Sequence, residues 1–251
     1  MKFPDYFHGS SSASLVYVLR EGSQGLMSTG QLLSQGIAPY SGELGVGISK
    51  KGINQDSLSV SKLGCIRDVI DYALNYDLHV WTPEESEKAV EASNRRIAEE
   101  SQKKYRAKYL KEHVKLTIEI EEMRIKIEEI RKRNWEHLSL LERQLISSPF
   151  PVIYGIEYKG TVVEVKSAMY DYGIKEPVGL DHLTVYVPEA RVPFVAELAK
   201  GVCKKEMIFP FITLREILDQ NHFCQDIIYK PLWRYEHPEE EQPQTPKPSN
   251  T

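Results

Sequence analysis

Residues 6–11 read Tyr6-Phe7-His8-Gly9-Ser10-Ser11. Aromatic residues favour an extended strand. The His-Gly-Ser that follows puts an imidazole, a residue without a Cβ and a hydroxyl in consecutive positions near the chain's start. The meaning of this strand depends on which elements follow it, and in what order.

A Leu-rich, Gly-punctuated run leads from it to Gly47. Its last part, Gly42-Glu43-Leu44-Gly45-Val46-Gly47, has neither GxGxxG spacing nor the Lys-Ser/Thr of a phosphate loop. It is expected to be a mobile loop over a cleft. Ser57-Leu58-Ser59-Val60-Ser61 alternates and predicts a short strand, and Asp68 to Tyr76 predicts a helix. Pro151 to Tyr158 predicts a strand ending at the turn Lys159-Gly160, and Thr161 to Val165 a further one. Tyr170, Tyr172 and Gly173 are expected in a loop. Asp181 to Pro188 predicts another strand, stopped by Pro188, and Thr213 to Gln220 a final helix.

Between these halves, residues 83–147 are densely charged and contain no glycine. Thr82-Pro83-Glu84-Glu85 is a helix start, with Thr at the N-cap, Pro at N1 and acids in the first turn. Leu116, Ile120, Met123, Ile127 and Ile130 recur with spacing 4, 3, 4, 3, the pattern of a coiled-coil seam. Ile118 and Ile125 add a second stripe, so the helix is expected to pack on two sides, most simply against a partner helix from residues 84–110. The chain thus divides into 1–82, a helical insert 83–147, a second β-rich half 148–235 and an acidic, Pro-rich tail 236–251, expected to be disordered.

The 251 residues are enough for one substantial domain or for one domain plus an appended module. Hydrophobic content is 41%, charged content 27%, net charge −4 and pI near 6.0. No global positive field favours nucleic acid or anionic lipid. Cys65, Cys203 and Cys224 have no metal or CxxC spacing and suit a reducing compartment. No secretory leader and no membrane span is expected.

The order of these pieces resembles the ADP-ribosyltransferase superfamily, nearest its diphtheria-toxin/PARP-like branch. Tyr6-Phe7-His8-Gly9-Ser10 is similar to that branch's first motif. Leu58-Ser59-Val60-Ser61 with the helix carrying Tyr72, Ala73 and Tyr76 is similar to its second, Pro151 to Lys159 to its central strand, and Leu180 to Tyr186 to the strand bearing the catalytic acid. The resemblance covers roughly residues 5–80 and 150–195. It implies an α+β fold, a split β-sheet core into which the charged helical hairpin is inserted, with NAD as substrate.

The resemblance implies further that His8 binds a ribose of NAD, with Gly9 and Ser10 beside it. Ser59 or Ser61 supports the site, and Tyr72 or Tyr76 stacks on nicotinamide. Loss of nicotinamide leaves an oxocarbenium-like cation that an acid must stabilise. Here the chain departs from the family. His182 occupies the usual glutamate position, beside Asp181. Adjacent strand residues point to opposite faces, so only one of the two is expected to enter the cleft. Glu176, in the preceding loop, is a third candidate. The superfamily's 2′-phosphotransferase branch dispenses with the glutamate and holds phosphate with His and Arg, a role open to Arg20 and Arg67.

Three functions stay open. One is an NAD-dependent ADP-ribosyltransferase-like enzyme that modifies a host macromolecule, most simply a protein. Another is a non-catalytic module of the same fold whose hairpin grips a host protein. The third is a nucleotidyl or phosphate-transfer enzyme on this scaffold. The tail, with Glu236 and Glu239-Glu240-Glu241 followed by Pro, Gln, Thr, Lys and Ser, resembles the glutamate-block signals of bacterial effectors exported by type IV systems into a host cytosol.

Overall fold

The computed structural model describes residues 3–40, 48–49, 52–53, 57–75, 78–103, 108–164, 172–202, 206–221 and 226–238. In chain order, the first elements are β1 (Tyr6–Ser11), α1 (Leu15–Val18), α2 (Thr29–Ser34), β2 (Ile48–Ser49), β3 (Gly52–Ile53), β4 (Leu58–Val60) and α3 (Ile66–Asn75). There follow α4 (Pro83–Gln102), α5 (Lys108–Trp135), α6 (Leu140–Ser147), β5 (Pro151–Ile156), β6 (Val162–Glu164) and β7 (Tyr172–Ile174). The last are β8 (Leu183–Val187), α7 (Val192–Ala199), β9 (Ile208–Pro210), α8 (Phe211–Gln220) and α9 (Asp226–Glu236). The fold is mixed α+β.

One sheet has the order β1-β5-β8-β9, antiparallel except for the parallel β8–β9 pair. A smaller antiparallel sheet has the order β4-β7-β6. Every residue of β5 and β8 is buried, which explains why their sequences are apolar runs rather than clean alternations. The two sheets meet where Phe7 and Ser61 exchange backbone hydrogen bonds of 2.7 and 2.9 Å.

Strand alternation then sorts side chains into two cores. Leu58, Val60, Tyr154, Ile156, Ile174, Leu183 and Val185 belong to the core between the sheets. Phe7, Ile153 and Tyr186 belong to a second core, covered by α3, α8 and α9. Gly9 is needed where α3 crosses β1: a Cβ there would lie 2.2 Å from the Val69 carbonyl oxygen.

Several expectations are corrected. Tyr172 and Gly173 lie in β7, the middle strand of the small sheet, because Gly173 pairs with both Ser59 and Val163. Asp181 and His182 are not strand residues; Leu180–His182 is a 3₁₀ turn, so the alternation argument does not apply to them. Glu236 does not belong to a loose tail. It ends α9, is half-buried, and accepts a 2.8 Å hydrogen bond from the Glu189 N–H. Burial raises its carboxyl pKa above the ordinary glutamate value. Residues 239–251 and the Gly42–Gly47 stretch lie outside the described residues.

Helix α4 begins as its sequence predicts: the Thr82 hydroxyl accepts the Glu85 N–H at 3.2 Å, with Pro83 in the first turn. Helix α5 packs on two sides, one of them against α4. Glu121 faces α4 and accepts from the Ser93 hydroxyl at 2.7 Å and Arg96 at 3.2 Å. Met123, Ile127 and Ile130 instead cluster with Leu33 and Ala38. At 100° per residue the two stripes lie roughly 160° apart on the helix. Met123, Ile127 and Ile130 therefore face the N-terminal half, and the stripe bearing Glu121 faces α4.

At the hairpin's base Trp81 Nε1 donates to Glu128 at 2.8 Å, and Arg131 donates to Glu128 at 2.7 Å and to the Pro39 carbonyl at 2.6 Å. Tyr40 Oη donates to the Arg131 carbonyl at 2.9 Å. All four side chains are buried. Such a pair is held by mutual satisfaction, since either charge alone would be costly to bury.

Candidate functional site

His8 sits on β1 directly opposite Tyr154 of β5. It is half-buried, and its ring is stacked against the Tyr154 ring, centroids 6.2 Å apart and planes at 29°. Its Nδ1 is 2.7 Å from the Ser59 carbonyl oxygen. A carbonyl only accepts, so Nδ1 carries the proton and Nε2 carries the lone pair. Burial lowers the His8 pKa to about 4 against the opposing effect of the Ser59 carbonyl. At neutral pH the ring is therefore an uncharged imidazole in one tautomer.

Tyr154 is fully buried, and its hydroxyl is 2.6 Å from Ser14 Oγ. Ser14 spends its single hydrogen on the Ser11 carbonyl at 2.7 Å. The Tyr154 hydroxyl must then be the donor in its bond to Ser14. The serines after His8 are thus anchors of the β1–α1 corner. Ser12 belongs to the same set: its hydroxyl donates to the Leu145 carbonyl at 2.6 Å and accepts the Phe150 N–H at 3.1 Å. Ser10 is buried as well.

The other expected residues are placed as follows. Ser59 meets His8 through its carbonyl, not its hydroxyl. Ser61 is fully buried, its backbone paired with Phe7 and its hydroxyl without a hydrogen-bond partner among the described residues. Tyr72 is half-buried against the α3-side core, whereas Tyr154 and Val60 around His8 belong to the core between the sheets. The structure therefore does not bring Tyr72 to His8. Tyr76 lies outside the described residues.

Asp181 and His182 are exposed, and the His182 carbonyl accepts the Glu157 N–H at 2.9 Å. Val185 is level with Tyr154, which is level with His8, so Asp181 stands two strands across and four residues along from His8. Strand and 3₁₀ spacings put the two Cα atoms about 15 Å apart. Glu176 is exposed and accepts a 3.0 Å hydrogen bond from the Tyr158 hydroxyl. Burial and that glutamate together raise the Tyr158 pKa.

Neither expected phosphate holder is placed at His8. Arg67 lies 3.8 Å from Asp71 along α3. Arg20 lines a separate cavity of about 190 Å³, walled by Tyr17, Met27, Gln35, Tyr40 and Leu138. No cluster of three or more His, Cys, Asp or Glu suited to a metal occurs among the described residues.

The sequence reading missed Tyr154 and Ser14. A signal existed: Tyr154 is the one residue of the apolar run Pro151–Ile156 with a side-chain hydroxyl, and a buried tyrosine hydroxyl needs a partner. No family model, curated protein or solved structure matches the chain.

Proposed function

We propose that the chain is an ADP-ribosyltransferase-like enzyme that binds NAD at His8 and transfers ADP-ribose to a host macromolecule, most simply a protein. The observation that carries the reading is the fixed, neutral, Nδ1-protonated His8 beside the junction of the two sheets. Its Nε2 is an acceptor, which suits a ribose hydroxyl. A phosphate oxygen also only accepts, so an uncharged ring with a lone pair there is a poor phosphate ligand. This disfavours the phosphate-transfer alternative.

Of the three candidate acids, Asp181 fits best. An imidazole at His182 brings no full negative charge to a cation, and Asp181 stands directly beside it, whereas Glu176 lies six residues before it in the preceding loop. With His8 on one ribose and Asp181 on the other, the separation suits a ligand whose two riboses are joined through a pyrophosphate. In the transfer, the bond from ribose C1′ to the nicotinamide nitrogen breaks and nicotinamide leaves with the electron pair. Asp181 stabilises the resulting cation. A nucleophile of the acceptor then bonds to C1′ and gives up its proton to solvent.

The acidic tail motivates export through a type IV system into a host cytosol, and the α4–α5 hairpin is the natural arm for target recognition. A second reading, a module that grips a host protein without transfer, is favoured by the surface exposure of Asp181 and His182.

The test combines calorimetric NAD binding with transfer of label from NAD into host lysate. The wild type is expected to bind and label. Asp181→Asn is expected to bind NAD within about threefold of wild type while labelling falls by about a hundredfold or more. Binding without labelling by wild type would favour the second reading; absence of NAD binding would exclude both NAD-based steps.

A further inference from the structure

We propose that the cavity lined by Arg20 is a binding site for a small monocarboxylic acid whose apolar body is about one ring in size. Its walls include neither His8 nor Asp181, so the proposal neither rests on the NAD reading nor falls with it.

The cavity lies between α1, α2 and the end of α5, where the base of the hairpin meets the N-terminal half. Val16, Met27, Ala38, Tyr40 and Leu138 line it, and all five are buried. Its volume is about 190 Å³. An apolar cavity of about 150 Å³ holds a benzene ring. This one therefore has room for a ring with a short substituent and is too small for a nucleotide.

The polar rim selects the charge of the occupant. Three of its side chains are already engaged within the chain. Ser23 Oγ donates to the Tyr17 carbonyl at 2.7 Å, Gln35 Nε2 to Gln24 Oε1 at 3.3 Å, and Asn134 Nδ2 to the Gly36 carbonyl at 3.1 Å. Arg20 differs. It is exposed and makes no hydrogen bond or ion pair with any described residue, so its guanidinium fork is left for a ligand carboxylate. The turn that carries it is built in advance: the Ser23 N–H donates to the Arg20 carbonyl at 3.0 Å, and Gly22 takes a φ of +73°. A preformed turn lowers the ordering cost of binding. Glu21 also lines the cavity. Its carboxylate would repel a second negative charge on the ligand, so a monoanion fits better than a phosphate, which carries nearly two.

The test follows the methionine methyl signals of full-length protein labelled with ¹³C at those methyls. Met27 lines the cavity, and Met207, in the core between the sheets, is the internal control. Phenylacetate is titrated to about 20 mM, which covers the affinity of a ligand of this size at a site it fits. It is expected to move the Met27 signal saturably and to leave Met207 in place. The uncharged isostere 2-phenylacetamide and the dianion phenylphosphonate are each expected to bind about tenfold more weakly or worse. Arg20→Gln, at an exposed position, is expected to bring acid and amide within about threefold of each other, with Met207 unshifted as the sign of an intact fold. A Met27 signal that phenylacetate does not move saturably overturns the proposal. So does equal affinity for acid and amide in the wild type, or a preference for the acid that survives in Arg20→Gln.

Discussion

His8 makes the stability of the protein depend on pH in a way that can be isolated. Its folded pKa is about 4, against 6.5 for a free histidine, because burial disfavours the charged ring. Between those values the unfolded chain binds the proton more readily than the folded one. The contribution is therefore fully present above pH 6.5 and is lost as pH falls toward 4. The difference of about 2.5 pH units corresponds to about 3 kcal/mol.

Carboxylates also titrate near the lower end of this window, so the measurement is a comparison. Urea unfolding from pH 7.5 to 4 is run on the wild type and on His8→Gln, which has no titrating group at the site. The variant is less stable at pH 7.5, having lost the bond to Ser59, but its stability is expected to fall by about 3 kcal/mol less across the range. Ring signals of His8 are expected to titrate near pH 4. Equal pH slopes for the two proteins, or a His8 titration at pH 6 or above, would refute the burial argument.

Two further outcomes follow from packing. Gly9→Ala puts a Cβ 2.2 Å from the Val69 carbonyl and is expected to cost about 3 kcal/mol or more, read as a lowered urea midpoint. Arg131→Met leaves the buried Glu128 carboxylate without its cation and is expected to cost about 3–5 kcal/mol. The double change Arg131→Met with Glu128→Gln keeps an acceptor for Trp81 and is expected to recover most of that loss.

Much of the secondary structure was legible. The Thr82-Pro83-Glu84-Glu85 start of α4 is a local capping signal, and the structure uses it as such. The apolar runs of β5 and β8 read as strands for the same local reason. The sidedness of α5 was not legible. Periodicity shows two stripes but does not say which meets α4; that was settled by Ser93, a small buried residue whose hydroxyl donates to the Glu121 carboxylate. Burial works to raise the Glu121 pKa, and the Ser93 hydroxyl with Arg96 and Arg124 outweighs it and holds the carboxyl below the ordinary glutamate value. Likewise, alternation over Asp181 to Pro188 gave no hint that the first two residues turn into a 3₁₀ segment.

The candidate site divides the same way. From the sequence alone came a strand ending in His8-Gly9-Ser10 and its place in the order of elements, because strand propensity and turn chemistry are local. The tautomer, charge and orientation of His8 came only from the tertiary structure. The tautomer is set by a carbonyl 51 residues away at Ser59, and the charge by burial among distant segments. No local pattern encodes such partners, since their energies arise only when distant segments share one dry space.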